Sequence, residues 1–291
     1  MNSNFHNAQN DAQIFDFEYL DDGLNVLAGV DEVGRGPLAG PVVAGCALLQ
    51  SNDQASSSPL NLLEAKSLLA KLSECGITDS KKLSEKKRQR ILSALSIQLP
   101  DFHAEFERDQ SWPKNLGQDQ SPTQLRVKKW KVAETKYTAL WVNVVEIQAF
   151  EIDRLNILYA SQKAMFEAYR GLAKEKLSGP TKRSLLIDGN QTLPHKLTRD
   201  CEVMSATKQI AVVKGDQKSL LIGLASVVAK EYRDQWMKYA GSIYPGYGLE
   251  NHAGYPTKAH KEAISKLGVC ALHRQSFKGV REFVNGQREN F

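Results

Sequence analysis

Two apolar segments joined by a glycine-rich turn make up residues 26–49, which read VLAGVDEVGRGPLAGPVVAGCALL. Residues 26–30 and 41–49 are rich in β-branched and aliphatic side chains, a composition that favours strands. The glycines and prolines between them are typical of a tight connection. This stretch therefore predicts two neighbouring strands, and Asp31 and Glu32 come directly after the first.

The rest of the chain alternates short apolar segments with helical patterns, which predicts a mixed α/β sheet in a single domain. Residues 1–24 are polar and acidic and predict a loosely ordered tail. Helices are expected from Ser84 as N-cap, over roughly 150–175, and over about 217–240 with Gly241 as a C-terminal stop. Further strands are predicted over 137–145, 184–187 and 209–213, and a polar, loop-rich stretch over 101–129.

The composition excludes several classes of protein. The chain has 291 residues, 42% hydrophobic and 24% charged, which is ordinary for a soluble globular protein. It has no apolar run long enough for a membrane span. The four cysteines are far apart in the sequence and form no C-x-x-C pair, which argues against zinc and disulfides and favours a cytoplasmic location.

Basic residues are concentrated in two clusters, although the formal net charge is only +5. Clusters of this kind can bind phosphates, and the alternative is a solvated helix face. The first cluster is Lys81, Lys82, Lys86, Lys87, Arg88 and Arg90, and the second is Arg126, Lys128, Lys129, Lys131 and Lys136.

Acidic residues follow three of the predicted strands. Asp31 and Glu32 follow residues 26–30, Asp188 follows 185–187, and Asp216 follows 211–213. Catalytic groups converge at strand ends in α/β sheets, and a cage of carboxylates binds hard cations such as Mg²⁺ or Mn²⁺. Two such ions can activate water for attack on a phosphodiester.

Each acid also has a structural interpretation. Asp188 begins a turn-forming Asp-Gly-Asn, and Asp216 is placed to N-cap the next helix. Neighbours on a regular strand point to opposite faces, so Asp31 and Glu32 share one site only if the strand breaks or Glu32 contributes its carbonyl.

Residues 34–36, Gly-Arg-Gly, are a candidate site for binding phosphate or ribose. The glycines let the backbone approach a ligand closely, and Arg35 offers a fork for a phosphate. Such a backbone can also sense a ribose 2′-hydroxyl, which distinguishes RNA from DNA. The alternative is an ordinary Gly/Pro turn.

Several segments together resemble the bacterial ribonuclease HII family. They lie in a compatible order and cover about residues 26–280. The segments are 28–44 (AGVDEVGRGPLAGPVVA), 78–83 (TDSKKL), 151–158 (EIDRLNIL), 186–190 (LIDGN), 213–216 (VKGD), 225–230 (ASVVAK), 244–248 (YPGYG), 252–257 (HAGYPT) and 273–277 (HRQSF).

The resemblance implies a ribonuclease H-like fold, a mixed central sheet flanked by helices with a helical C-terminal part, in a catalytic domain over 25–286. It implies a monomeric endonuclease that uses Mn²⁺ or Mg²⁺ on RNA/DNA hybrids or ribonucleotide-containing duplex DNA and leaves 5′-phosphate and 3′-hydroxyl ends. By the same resemblance, the metal ligands are Asp31, Glu32, Asp188 and Asp216. The substrate contacts are Gly34, Arg35, Gly36, Ser80, Lys81, Lys82 and Tyr255.

The sequence departs from the family pattern in a few places. Ala253 stands where a lysine is usual, His-Arg-Gln at 273–275 replaces His-Arg-Arg, and insertions occur near 51–70 and 101–135. Three other functions remain open at this point: a ribonuclease HIII, a phosphohydrolase acting on small esters, and a catalytically silent nucleic-acid-binding module.

Overall fold

A six-stranded mixed sheet forms the centre of the computed structural model, which describes residues 11–12, 14–52, 58–104, 126–173 and 181–286. The strands are β1 (Leu24–Val33), β2 (Val42–Ser51), β3 (Arg126–Glu134), β4 (Thr138–Ile147), β5 (Lys182–Asp188) and β6 (Thr207–Val212). Their order across the sheet is β3-β4-β2-β1-β5-β6. The pairs β1–β2, β2–β4 and β3–β4 are antiparallel, and β1–β5 and β5–β6 are parallel. The predicted mixed sheet is confirmed.

Helices cover both faces of this sheet and continue into the C-terminal part, as predicted. They are α1 (Leu62–Glu74), α2 (Glu85–Ala94), α3 (Ala149–Leu155), α4 (Ile157–Leu172), α5 (His195–Thr198), α6 (Glu202–Ser205), α7 (Gly215–Lys218), α8 (Leu220–Ile243), α9 (Leu249–His252), α10 (Lys258–Leu267) and α11 (Arg281–Gly286).

The long helix α8 packs directly on the centre of the sheet, and glycines make that approach possible. A Cβ at Gly45 would lie 2.3 Å from the carbonyl oxygen of Ala225, and one at Gly29 would lie 2.5 Å from the amide of Ile222. Only a residue without a side chain allows backbones to come so close. Leu27 lies in the core on this face, and helix α4 covers the opposite face, where Val30 lies.

The helix predicted over 150–175 is divided in two. Asn156 adopts a positive φ of 67° between α3 and α4, and its side chain accepts a hydrogen bond from the amide of Tyr159. A short polar side chain tolerates this conformation and competes with the helical backbone for hydrogen bonds. The periodic pattern runs through the break, so periodicity alone did not predict it.

The helix predicted over 217–240 also differs from the expectation at both ends. Ser219 separates α7 from α8 and caps α8 by accepting from the amide of Ile222. Gly241 does not end the helix, because α8 continues to Ile243. A Cβ at Gly241 would lie 2.4 Å from the Glu250 carboxylate, so this glycine serves close packing against α9.

Strand β3 was not predicted, because its basic residues were treated as a charged cluster after a loop. Its side chains alternate between faces, as in any strand. Trp130 donates from its indole to the carbonyl of Gln98 on one face, whereas Lys129 and Lys131 lie over the Trp141 ring on the other.

Residues 14–20 pack against the core, so the prediction of a loosely ordered tail over 1–24 is wrong for this part of it. Residues 14–17 are helical. Asp16 is fully buried and accepts hydrogen bonds from the amides of Leu220 and Leu221 at the start of α8, at 2.8 and 3.2 Å. These amides have no partner inside the helix, so the carboxylate satisfies them. Residues 1–10 lie outside the described residues.

Parts of the two predicted insertions can be placed. Helix α1 begins inside the first, at Leu62, and buries Leu68, Leu69 and Leu72 in the core. Strand β3 occupies the end of the second. Residues 53–57 and 105–125 lie outside the described residues.

Candidate active site

The four predicted carboxylates lie at one end of the sheet. Asp31 and Glu32 are near the C-terminal end of β1, Asp188 ends β5, and Asp216 lies in α7 just after β6. Because β1, β5 and β6 are parallel, their C-terminal ends share one edge. The charges of Glu32, Asp188 and Asp216 all act on Asp31, so the structure brings the four groups together.

Burial and mutual repulsion oppose ionisation of this cluster. Burial raises the pKa of Asp31 well above its usual 3.8, and the charges of Glu32 and Asp188 raise it further. Burial, and then the charges of Asp79 and Asp188, raise the pKa of Asp216 to about 6. Asp31 and Asp216 are only 6% and 8% exposed. A cation placed among these groups would remove the repulsion between them. A cluster of buried carboxylates that repel one another is typical of a metal site.

Each carboxylate is also held by nearby donors. Asp31 Oδ1 accepts from the amide of Glu32 at 2.7 Å, and its side chain also bonds Ser226. Asp188 Oδ1 accepts from the amides of Gly215 at 2.7 Å and Asp216 at 3.4 Å, which ties β5 to the start of α7.

The donor set suits a hard divalent cation, because it consists of carboxylate oxygens. Among the residues that the structure describes, no three His, Cys, Asp or Glu side chains are arranged to hold a metal ion.

Glu32 reaches the cluster without a break in the strand. Strand β1 runs on to Val33, and the Glu32 carboxylate lies 3.5 Å from the Arg35 guanidinium. Burial raises the pKa of Glu32, Arg35 lowers it, and Asp188 raises it. The sequence left two ways for Glu32 to contribute to the site, a break in the strand or its backbone carbonyl. No strand break is observed, and the charge of Asp188 acts on the Glu32 side chain itself.

Asp79 is a fifth carboxylate at this site, and it was not predicted. It accepts from the amide of Lys81 at 2.9 Å and from the side chain of Gln217 at 3.4 Å, and its charge raises the pKa of Asp216. It follows no predicted strand, so the strand-end pattern did not select it. The sequence indicated Asp79 in another way, because it lies in residues 78–83, one of the segments that resemble the family.

Lys81 and Lys82 lie beside the carboxylates, whereas the side chain of Ser80 does not face solvent. Burial lowers the pKa of Lys81, but the charges of Asp31, Asp216, Asp79 and Asp188 outweigh burial and raise it overall. Lys82 donates to Gln217 at 3.1 Å. Ser80 is 3% exposed and its hydroxyl is hydrogen-bonded to that of Ser226 at 2.8 Å, so its predicted place along the substrate backbone stays a prediction.

Two buried arginines hold the Gly34–Arg35–Gly36 loop from below. Arg274 donates to the carbonyls of Gly34, Arg35, Pro37 and Gly40. Arg233 donates to the carbonyls of Pro41, Ala39 and Ala253. Sequence reasoning missed both roles, because arginine is expected at the surface.

Tyr255 lies against this loop. It is 40% exposed, and a Cβ built on Gly36 would lie 3.5 Å from its ring. Gly254 beside it has a φ of +79° and packs so closely on Ala39 that a Cβ would lie 2.4 Å from the carbonyl oxygen of Ala39. Arg35, Gly36 and Tyr255 therefore form one exposed surface next to Glu32.

A chain of histidines fixes the backbone of Tyr255. His273 Nδ1 accepts from the amide of Cys270, so a neutral His273 carries its proton on Nε2 and donates to Nε2 of His260 at 3.2 Å. His260 then carries its proton on Nδ1 and donates to the carbonyl of Tyr255 at 3.0 Å. Burial, and then interaction with a charged His260, lower the pKa of His273 to about 4, so the neutral chain is the stable form.

The two basic clusters lie in different places. In the first, Lys86, Lys87 and Arg90 are exposed on α2, whereas Arg88 is buried and pairs with Glu231 and Asp234 of α8. The second lies on β3, at the edge of the sheet opposite β6. Only the first adjoins the carboxylates, through Lys81 and Lys82. None of the described helices is both long and apolar enough to cross a membrane.

Solved structures with this fold come from two types of ribonuclease H. A ribonuclease H2 from Pyrococcus horikoshii matches with a TM-score of 0.56 at 19% identity, over 91% of this chain and 100% of that one. A ribonuclease HII from Archaeoglobus fulgidus, solved in complex with PCNA, matches with a TM-score of 0.51 at 20% identity, over 87% of this chain and 95% of that one. A Bst ribonuclease HIII solved with Mn²⁺ matches with a TM-score of 0.50 at 14% identity, over 94% of this chain and 73% of that one. At these identities the likeness shows the fold, which is the predicted ribonuclease H-like fold.

Sequence comparisons show the family. The ribonuclease HII from Chlamydia caviae is 34% identical over 271 residues, which are 93% of this chain and 92% of the relative. That from Syntrophomonas wolfei is 31% identical over 278 residues, which are 96% and 80% of the two chains. The ribonuclease HII family model matches residues 28–280. The chain therefore belongs to the ribonuclease HII family and is a ribonuclease H, an endonuclease of the hydrolase class.

Proposed function

We propose that this enzyme hydrolyses the RNA strand of RNA/DNA hybrids and incises duplex DNA on the 5′ side of embedded ribonucleotides. The products carry 5′-phosphate and 3′-hydroxyl ends. The observation that carries the proposal is the placement of the carboxylates Asp31, Glu32, Asp188 and Asp216 beside the surface formed by Gly34–Gly36 and Tyr255. The groups proposed for phosphodiester hydrolysis and those proposed for ribose recognition therefore lie next to each other.

Asp31, Glu32, Asp188 and Asp216 would hold two Mn²⁺ or Mg²⁺ ions, with Asp31 shared between them. When bound, these ions would supply an activated water and would neutralise charge on the leaving oxygen. Divalent-metal dependence is supported by the carboxylate donor set and by the similar ribonuclease HIII, whose structure contains Mn²⁺. Ser226, which bonds both Ser80 and Asp31, holds the Asp31 carboxylate in place on the α8 side.

The substrate contacts divide between ribose and phosphate. The Gly34–Gly36 backbone reads the 2′-hydroxyl, and the exposed Tyr255 ring packs on the next sugar. Lys81 and Lys82, with the exposed cations of α2, contact the phosphates. Ala253, where the family usually has lysine, carries no cation, so phosphate binding at that point depends on other residues.

We further propose that residues 25–286 form one catalytic domain, that the enzyme is a monomer, and that it acts in the cytoplasm. The four free cysteines fit a reducing compartment. Light scattering of the purified protein checks the oligomeric state.

The test is incubation with a labelled DNA duplex that contains one ribonucleotide. We expect incision on the 5′ side, leaving a 3′-hydroxyl that a polymerase can extend, and no incision of an all-DNA duplex. EDTA should abolish cleavage, and Mn²⁺ or Mg²⁺ should restore it. Incision only within longer ribonucleotide runs would contradict the proposal, as would binding without cleavage, which would indicate a silent binding module.

Asp31→Asn is the matching variant, because it keeps the shape of the side chain and removes its charge. We expect a loss of at least about a thousandfold in kcat, as for a ligand shared by two metals. Asp22→Asn is the control, because Asp22 is exposed just before β1. Near-normal cleavage by Asp31→Asn would refute the metal-site assignment.

A further inference from the structure

The segments 151–158 and 273–277 are left without a role by the proposed function, and the structure brings them together beneath the Gly34–Gly36 loop. We propose that Arg274 is a positioning residue that holds this loop in its ribose-reading conformation, and that Asp153 fixes the chain segment carrying Arg274. The inference rests on the proposed function and names a determinant of its specificity.

Arg274 uses the full donor capacity of its guanidinium on the loop. Nε donates to Gly40 at 3.0 Å, Nη1 to Arg35 and Pro37 at 3.0 and 2.9 Å, and Nη2 to Gly34 and Gly40 at 2.6 and 2.9 Å. A guanidinium has five N–H donors in a fixed planar fork, so these five bonds specify where four carbonyls must lie. The conformation of the loop is therefore the one that matches the guanidinium.

The burial of this group points to a role beyond packing. Arg274 is 0% exposed, and its hydrogen-bond acceptors are all main-chain carbonyls. Burying a cation is costly, and an apolar side chain in this place would leave the carbonyls that accept from Arg274 without that donor. What an apolar side chain cannot do is gather four carbonyls on one side of the loop.

The backbone around Arg274 follows the loop closely. The amide of Arg274 donates to the carbonyl of Leu38 at 2.8 Å, and the amide of Gly40 donates to the carbonyl of Leu272 at 2.9 Å. Ala39 and His273 form an antiparallel bridge between these bonds. A shift of residues 272–274 would therefore carry the loop with it.

Asp153 holds this segment from the other side. Its carboxylate accepts from the amides of Gln275 at 2.8 Å and Ser276 at 2.9 Å, and from the Ser276 hydroxyl at 2.5 Å. Asp153 belongs to α3, which follows β4 directly. Three hydrogen bonds to one carboxylate link the segment after Arg274 to the rigid sheet.

The first experiment compares Arg274→Lys with wild type and with Arg88→Lys. Lysine keeps the charge but donates from a single point, so it cannot span four carbonyls. Arg88 is a matched control, because it is a buried arginine that pairs with Glu231 and Asp234 away from the loop. Binding is measured in EDTA, which prevents cleavage, with two duplexes that differ by a single 2′-hydroxyl.

We expect Arg274→Lys to lower the preference for the ribonucleotide-containing duplex at least about tenfold, with affinity for the all-DNA duplex unchanged. Hydrogen exchange of amides in residues 34–40 should accelerate at least about tenfold, with the strands unaffected. Arg88→Lys should change neither measurement. A role in stability alone would not alter the ratio of the two affinities.

Asp153→Ala provides a second variant in case Arg274→Lys does not fold, because it leaves the guanidinium in place. We expect it to lower the preference roughly fivefold, since it removes one anchor. If Arg274→Lys and Asp153→Ala both keep the wild-type preference for the ribonucleotide-containing duplex, this inference is overturned and the proposed function is not. Wild-type protein that neither prefers nor cleaves the ribonucleotide-containing duplex would overturn the proposed function, and this inference with it.

Discussion

Asp16→Asn is expected to remove a pH dependence from the stability of this protein. Burial raises the pKa of Asp16 to about 7 from its usual 3.8, against the hydrogen bonds from Ser219, Leu221 and Leu220. Between those two values the native state keeps a proton that the unfolded chain has released. The free energy of unfolding therefore falls as the pH rises through this window, and the difference between about 7 and 3.8 corresponds to about 4 kcal/mol.

Asparagine keeps the acceptor for the Leu220 and Leu221 amides and does not titrate. The assay is urea unfolding of wild type and variant at about pH 5 and about pH 8. The variant should gain about 3 kcal/mol relative to wild type between the two conditions, since only part of the window is crossed. Asp22→Asn, exposed on the same segment, should show no such gain. A stability difference between wild type and Asp16→Asn that is equal at both pH values would refute the reasoning.

Three further outcomes are expected from the substrate surface. Gly34→Ala should destabilise the fold by about 2 kcal/mol or more and abolish ribonucleotide incision. The reason is that Gly34 has a φ of +96° and that a Cβ would lie 2.3 Å from Arg233 Nε. Normal thermal stability of the variant would contradict this prediction. Tyr255→Phe should keep substrate affinity within about twofold, whereas Tyr255→Ala should lose roughly tenfold or more, because the ring supplies stacking area; equal losses would show that the hydroxyl matters instead. NMR titration of the imidazoles should show that His273 stays neutral down to about pH 4 and does not titrate at 6.5, because burial lowers its pKa. The neutral His273 then contributes fully to the free energy of unfolding above pH 6.5, and this contribution is lost as the pH falls from 6.5 through about 4.

Local patterns were sufficient to predict most of the sheet. Alternation and apolar runs identified β1, β2, β4, β5 and β6 within a few residues, and the side chains of β1, β2, β4 and β5 face two cores. Strand β3 was missed because its lysines, among them the exposed Lys129 and Lys131, are typical of edge strands and of loops alike. The breaks at Asn156 and Ser219 were missed because side-chain capping, not hydrophobic periodicity, places them.

The site was predictable where chemistry follows the strand ends and unpredictable where it depends on long-range contacts. Asp31, Asp188 and Asp216 could be grouped because parallel strands bring their ends together. Arg274 is more than 230 positions from the loop that it holds. Its identity as a buried donor is set by the tertiary fold, since nothing in its local sequence distinguishes it from a surface arginine.

Helix α8 spans 24 residues, so its axis is roughly 36 Å long. Asp16 fixes its first turn, Ser226 contacts Asp31 from its second turn, and Arg233 lies against Gly34 from its second half. Close packing at Gly29 and Gly45 sets the distance of the helix from the sheet. The proposed hydrolysis and the proposed sugar recognition therefore both depend on the position of one helix. Substitutions that displace α8 should change both properties in concert, whereas separate tuning requires changes in the loops at either side.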